Sequence, residues 1–310
     1  MKTTHVIDVL HDPEEVFRAL CDTGTWPEIF PPCMYSQLNY YIEGRQKITL
    51  AALANDRLLS WASHRCIDEN QKTITFSQFL KPDYLDHMRG AWTVYPAENG
   101  CQIVLEHEFA ARDNYDYTTT EFSGADDVLA FYEKATETNS IRELASLKQY
   151  FESQTLSHTF SCSTTTQLPP EYYFSLLKKA EHWKYILPHC TDINMLYDDG
   201  ENQEFIMTVQ VGARTEKIRS VRHIRGLTIR YFQPDPPYPL TRHTGTWVIN
   251  QVNGHTTVTS SHAITLSPDA ISTGGSADAL KSVIETNINN NSYQTMLTLN
   301  KTLEELAGEH

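Results

Sequence analysis

The stretch WPEIFPPC at residues 26–33 returns as WKYILPHC at residues 183–190, with Trp, Ile, Pro and Cys at the same four places 157 positions later. More blocks follow in the same order. ASHRCI at 62–67 answers RSVRHI at 219–224, so that Ser63 and Arg65 match Ser220 and Arg222. TITFSQ answers TIRYFQ, GAWTV at 90–94 answers GTWVI at 245–249, and LEHEFA answers SSHAIT, pairing His107 with His262. NSIRELASLKQYFE near the middle of the chain answers NSYQTMLTLNKTLEE near its end. Repeats in one order with offsets drifting by a few residues are the mark of a tandem duplication. A chain of 310 residues then divides into two domains, 1–153 and 154–310, each of ordinary single-domain size.

Each half carries the same element pattern. HVIDVLH alternates as a strand does, and DPEEVFRALC follows with Asp12 as N-cap and Pro13 at the first helical position. Alternating segments then predict strands at about 35–43, 46–54, 57–67, 72–80, 90–95 and 101–110, closed by a long amphipathic helix over 125–152. The second half repeats this with a strand at 157–163, a helix at 169–181, strands to about 266 and a helix at 277–307. The expected fold is α+β: two helix-grip units, each a curved antiparallel sheet around a long C-terminal helix, with a pocket between.

Composition excludes several classes. The formal charge is −14, with 13 basic against 24 acidic residues in the first half and 12 against 15 in the second. Nucleic-acid binding needs a concentrated basic face. The one basic run, Arg214, Lys217, Arg219, Arg222, Arg225 and Arg230 against Glu216, reads as a solvated strand pair ahead of a docking patch. The six cysteines form no CxxC pair and no zinc spacing, so free thiols and a cytoplasmic setting are expected. No secretory leader and no run of about 18 apolar residues is visible.

Strand phase selects the pocket residues, because positions two apart share a face. Trp61 points inward, so Ser63 and Arg65 do too, as do Ser220 and Arg222. An inward Arg is paired with an acid on the closing helix, or it awaits an oxygen-rich or anionic ligand. His107, in phase with Leu105 and Phe109, also points in. Beside Arg65 it should be neutral and able to act as a base. Trp92 and Trp247 are read as pocket walls that also serve the core, and Asn139 and Asn291 as polar groups at matched places on the closing helices. No metal triad, phosphate loop, Ser-His-Asp pattern or activated Cys is present, so no metal and no cofactor is expected.

WPEIFPP, the stripe W-x-S-H-R at 61–65, M-x-G-x-W from Met88 to Trp92 and N-S-x-x-E-L on the closing helix resemble the aromatase/cyclases of bacterial type II polyketide synthases, in particular the di-domain members, of the START/Bet v 1-like helix-grip superfamily. The resemblance covers nearly the whole chain. It implies dehydration and aromatisation of the first ring of a ketoreduced poly-β-ketone; the Asn-rich stretch NINNNSY separately suggests a pathway to an anthraquinone. The implied partners are an acyl carrier protein bearing the chain, a ketosynthase pair, a ketoreductase, a second-ring cyclase and a second copy of this chain. The resemblance also places Arg65 and Ser63 in the site, with Trp61, Trp92, Trp26, Phe30 and Met88 around the substrate. The family's tyrosine position falls on Cys33, matched by Cys190, with Tyr35 two residues away. The expected catalytic set is thus Arg65, Ser63 and His107, duplicated as Arg222, Ser220 and His262. A non-catalytic ligand carrier of the same fold is the rival reading.

Overall fold

Each half of the chain closes on itself because its first strand pairs with its last. The computed structural model describes residues 1–54, 57–211, 214–272 and 276–308. Two compact units result, Met1–Ser153 and Gln154–His310.

In the first unit β1 (Lys2–Val9) leads into α1 (Pro13–Cys21) and the single-turn α2 (Trp26–Ile29). Six strands follow: β2 (Cys33–Ile42), β3 (Arg45–Ala54), β4 (Arg57–Asp68), β5 (Thr73–Leu80), β6 (Leu85–Ala97) and β7 (Gly100–Ala111). Helix α3 (Ala125–Glu152) ends the unit. The sheet order is β1-β7-β6-β5-β4-β3-β2, with neighbours antiparallel. The edge strand β2 carries register shifts at Cys33/Tyr35 and Leu38/Tyr40, which bend it.

The second unit repeats the plan. β8 (Ser157–Thr166), α4 (Pro170–Lys178) and α5 (Trp183–Ile186) precede β9 (Cys190–Asp198), β10 (Asn202–Val211), β11 (Arg214–Arg225), β12 (Thr228–Phe232), β13 (Leu240–Val252) and β14 (His255–Leu266). The short α6 (Asp269–Ser272) and the long α7 (Ala277–Gly308) complete it. Its sheet order is β8-β14-β13-β12-β11-β10-β9.

Local chemistry explains the element ends. Asp12 Oδ1 accepts from the backbone N–H groups of Glu14 and Glu15, and Pro13 opens α1. α1 turns Val16, Phe17 and Leu20 toward the sheet. α3 lies against β1 and β7 and buries Val128, Ala135, Thr136, Ser140, Leu144 and Leu147. Phe109, Leu105 and Ile103 of β7 are fully buried on the inner face. The one unexpected extension is β6, which starts at Leu85 rather than near residue 90.

Candidate active site

The two repeated sequence features turn out to be parts of one device. Arg65 is buried, and its guanidinium donates to the last carbonyls of α1: Nη2 to Leu20 O at 2.5 Å and Nη1 to Cys21 O at 3.4 Å. Nη1 also donates to Gln46 Oε1 at 2.8 Å, and the group lies 4.9 Å from the Trp26 ring. Arg222 does the same in the second unit, where Nη2 donates to Leu177 O at 2.9 Å and to Lys178 O at 3.5 Å, 5.1 Å from the Trp183 ring. A cation at a helix C-terminus meets orphan carbonyls and the negative end of the dipole. Of the open alternatives, pairing with an acid on the closing helix is not what these contacts show: both arginines hold the end of the first helix in their unit. Burial lowers Arg65 to about 10 and Arg222 to about 9, and among the described residues neither forms an ion pair with a carboxylate.

The first unit encloses a cavity of about 740 Å³. Trp26, Phe30, Cys33, Trp61, Ser63, Arg65, Met88, Trp92, His107 and Asn139, all expected there, line it. Tyr35 does not. It follows a bulge in β2, and its hydroxyl is bonded to Gln37 instead. His107 Nδ1 sits 3.4 Å from Ser140 Oγ, and its ring meets Phe76 edge-on at 5.4 Å. Gly90 is the residue opposite both in register. A Cβ at Gly90 would strike the Phe76 ring and the Glu106 backbone, so the glycine is what admits the Phe76–His107 contact. Burial lowers His107 to about 4, with His5 as a lesser cause. The imidazole is neutral, as expected, but desolvation rather than Arg65 makes it so.

Sequence reading missed Glu143. It lines the cavity from α3, and burial raises its carboxyl to about 7 against a smaller opposing pull from Arg142. It stands one turn beyond Ser140, so the N-S-x-x-E-L spacing already placed it on the His107 face of the helix. Tyr84, Phe131 and Tyr132 were also missed. They wall the cavity from the β5–β6 connection and from α3, and the rings of Tyr84 and Tyr132 lie 6.4 Å apart.

None of the second-unit candidates lines this cavity. Asn291 is exposed; its neighbour Ser292 is the residue that turns inward. Trp247 is half-buried and packs against the core, and Ser220 is buried. Phe205 stands where the first unit has Ile48, and fully buried Tyr173 where it has Val16. Of the two first-unit residues, Ile48 lines the cavity. The basic run does not form one patch either. Arg222 is internal, and Arg219 pairs with Glu204 at 2.6 Å. Arg214's side chain is not among those described.

A curved antiparallel sheet wrapped on a long helix, twice over, defines a tandem helix-grip fold. The chain is homologous to polyketide synthase cyclase/dehydratases. It is 26% identical to the granaticin polyketide synthase bifunctional cyclase/dehydratase of Streptomyces violaceoruber, over 87% of this chain and 83% of that one. It is 24% identical to the actinorhodin counterpart of Streptomyces coelicolor, over 86% and 84%. The crystal structure of the di-domain ARO/CYC BexL from the BE-7585A biosynthetic pathway superposes with a TM-score of 0.83 at 25% identity, covering 97% of this chain and 98% of that one. No family model matches the sequence. Among the described residues no helix is long and apolar enough to cross a membrane.

Proposed function

We propose that this protein is an aromatase/cyclase of type II polyketide biosynthesis, and that its chemistry takes place in the first-unit cavity. The substrate in this reading is a ketoreduced poly-β-ketone held as a thioester on an acyl carrier protein. A ketosynthase pair and a ketoreductase act before it, and a second-ring cyclase acts after. The observation that carries the reading is one cavity holding a neutral imidazole and a carboxyl poised near 7 among aromatic walls. Acid and base with separated pKa values in one apolar site are what dehydration next to a carbonyl requires.

In this mechanism His107 takes the α-proton of the cyclised chain, leaving an enolate. Electrons return from the enolate to expel the β-hydroxyl, and protonated Glu143 supplies the proton that makes it water. One C–H and one C–O bond break, one C=C bond forms, and one water leaves. The proton on His107 returns to Glu143 through solvent. Ser63 and Asn139 are polar groups that hydrogen-bond and orient the chain. Trp61, Trp92, Phe30 and Tyr84 exclude water and stack on the flattening ring. Arg65 shapes the cavity floor through the end of α1 and is not assigned the enolate.

The test is a reconstituted synthase: ketosynthase pair, carrier protein and ketoreductase with this protein, products read by mass spectrometry. Wild type should give a dehydrated, aromatic first ring, and His107→Ala or Glu143→Gln should not. Products unchanged by both substitutions would overturn the assignment in favour of a non-catalytic ligand carrier.

A further inference from the structure

Exposure marks where the first-unit cavity opens. Leu59, Leu80 and Phe131 border the cavity and are also 45%, 61% and 39% exposed, so they stand where it meets solvent. Leu59 comes from the start of β4, Leu80 from the end of β5 and Phe131 from the early turns of α3. Single apolar side chains on a surface are ordinary, but three large ones around one opening mark a contact surface.

The second unit supplies the control. Counted from the matched blocks, Glu216 and Asp235 hold the places of Leu59 and Leu80, and Val283 holds that of Phe131. The same strand positions therefore accept carboxylates, and nothing in the shared fold asks for leucine at either. What the leucines serve is particular to the first unit.

Two cations flank the apolar rim. Arg142 on α3 donates from Nη2 to Asn139 Oδ1 at 2.8 Å and to Leu53 O at 3.4 Å, which holds its guanidinium between helix and sheet. Lys81, next to Leu80, donates from Nζ to Leu85 O at 2.7 Å. Among the described residues neither forms an ion pair with a carboxylate. The first half of the chain has 24 acidic residues against 13 basic, yet at this rim Lys81 and Arg142 outnumber the exposed Glu121.

The partner follows from the function proposed above, on which this inference rests. A chain held as a thioester enters the cavity while its carrier protein stays outside, so the carrier protein has to sit on the opening. The arm that bears the thioester starts from a phosphodiester, which is an anion. We propose that Leu59, Leu80 and Phe131, with Lys81 and Arg142 beside them, form the docking surface for the carrier protein. The apolar side chains pack on its face, and the cations meet the phosphodiester and the carboxylates around it. An apolar centre with a charged edge is the usual anatomy of a protein interface, and the edge charges act mainly on encounter.

The test gives the full chain one ring precursor in two forms, borne on the carrier protein and as a soluble N-acetylcysteamine thioester. Leu59→Glu and Leu80→Asp copy the second unit at exposed places, so both variants should unfold at the wild-type temperature. Each should raise KM for the carrier-borne form at least about tenfold and change kcat and KM for the soluble form by less than about twofold. Higher ionic strength should raise KM for the carrier-borne form alone, and Lys81→Met should lessen that dependence. Equal losses with both forms would assign the leucines to ring binding and overturn the proposal. So would KM values that neither substitution moves. Self-association that Leu80→Asp abolishes, read by light scattering, would give the rim to a second copy of the chain and overturn it too. If wild type turns over neither form, the proposed function fails, and docking is read alone by calorimetric titration with carrier protein loaded with a stable amide analogue. Binding that Leu80→Asp removes would keep the docking surface; no binding would overturn it.

Discussion

The two units share one skeleton and differ in what fills it. In both, an arginine from the fourth strand of the unit grips the end of the first helix over a tryptophan. In both, a glycine opposite the inward histidine admits an aromatic ring. The first unit leaves about 740 Å³ open between these fixed points and turns Glu143 into the space. The second has Phe205 where the first has Ile48, the polar Tyr231, His243 and Ser260 where the first has Phe76, Met88 and Leu105, and Thr295 where Glu143 would be. The lesson concerns Arg65: it lines the first-unit cavity and also holds the end of α1, and Arg222 makes the matching helix-end contacts in the second unit, so those contacts by themselves mark a shared structural role.

The sharpest way to break this comparison is to delete each histidine. Loss of a general base costs about 10²–10⁴-fold. His107→Ala should lower turnover by that factor, and His262→Ala should leave kcat within about twofold. Equal losses would show that both units catalyse.

Glu143 gives the next largest effect. As the acid it must be protonated, so kcat should fall as pH rises through about 7. Glu143→Gln should remove that limb and lower turnover by about 10²-fold at pH 6. Stability carries the same signature. The folded value lies above that of free glutamate, so the folded state binds the extra proton between 4.5 and about 7, and stability falls as pH rises across that window. Urea titrations at pH 5 and pH 8 should show that slope in wild type and lose it in Glu143→Gln.

Arg65→Ala and Arg222→Ala should each destabilise their own unit by about 2–4 kcal/mol, because buried helix-end carbonyls lose charged donors. If Arg65→Ala abolished turnover with no change in unfolding, the arginine would be acting on substrate and the scaffold reading would fall. The smallest effect expected is from Ile48→Phe, which copies Phe205 into the first unit. Ligand affinity should drop about tenfold while stability changes by about 1–3 kcal/mol, measured by calorimetry and thermal unfolding.

Much of this was legible in the sequence. Duplication, strand order within each half, the closing helices and the inward phase of Ser63, Arg65 and His107 follow from repeats and period-two alternation, which are local. Trp61, Ser63, Arg65 and His107 could be named because a strand's phase fixes which side each faces, and the resemblance and the repeat supplied the other cavity residues. Glu143 escaped because a helix face gives direction but not depth. A carboxylate on a helix usually faces open solvent, and only the packed sheet shows that this one faces a cavity wall and is half-buried. Asn291 went wrong for the related reason that one position of slip moves a helical side chain by 100° or so.

The sequence by itself determined two copies of one fold and which side chains point inward, because both depend on patterns read along the chain. Tertiary structure alone decided that Arg65 binds helix carbonyls, that the first unit holds a cavity with Glu143 on its wall, and that Tyr231, His243 and His262 meet. Those outcomes depend on side-chain volume and donor–acceptor distance across strands far apart in sequence, and no local pattern records them.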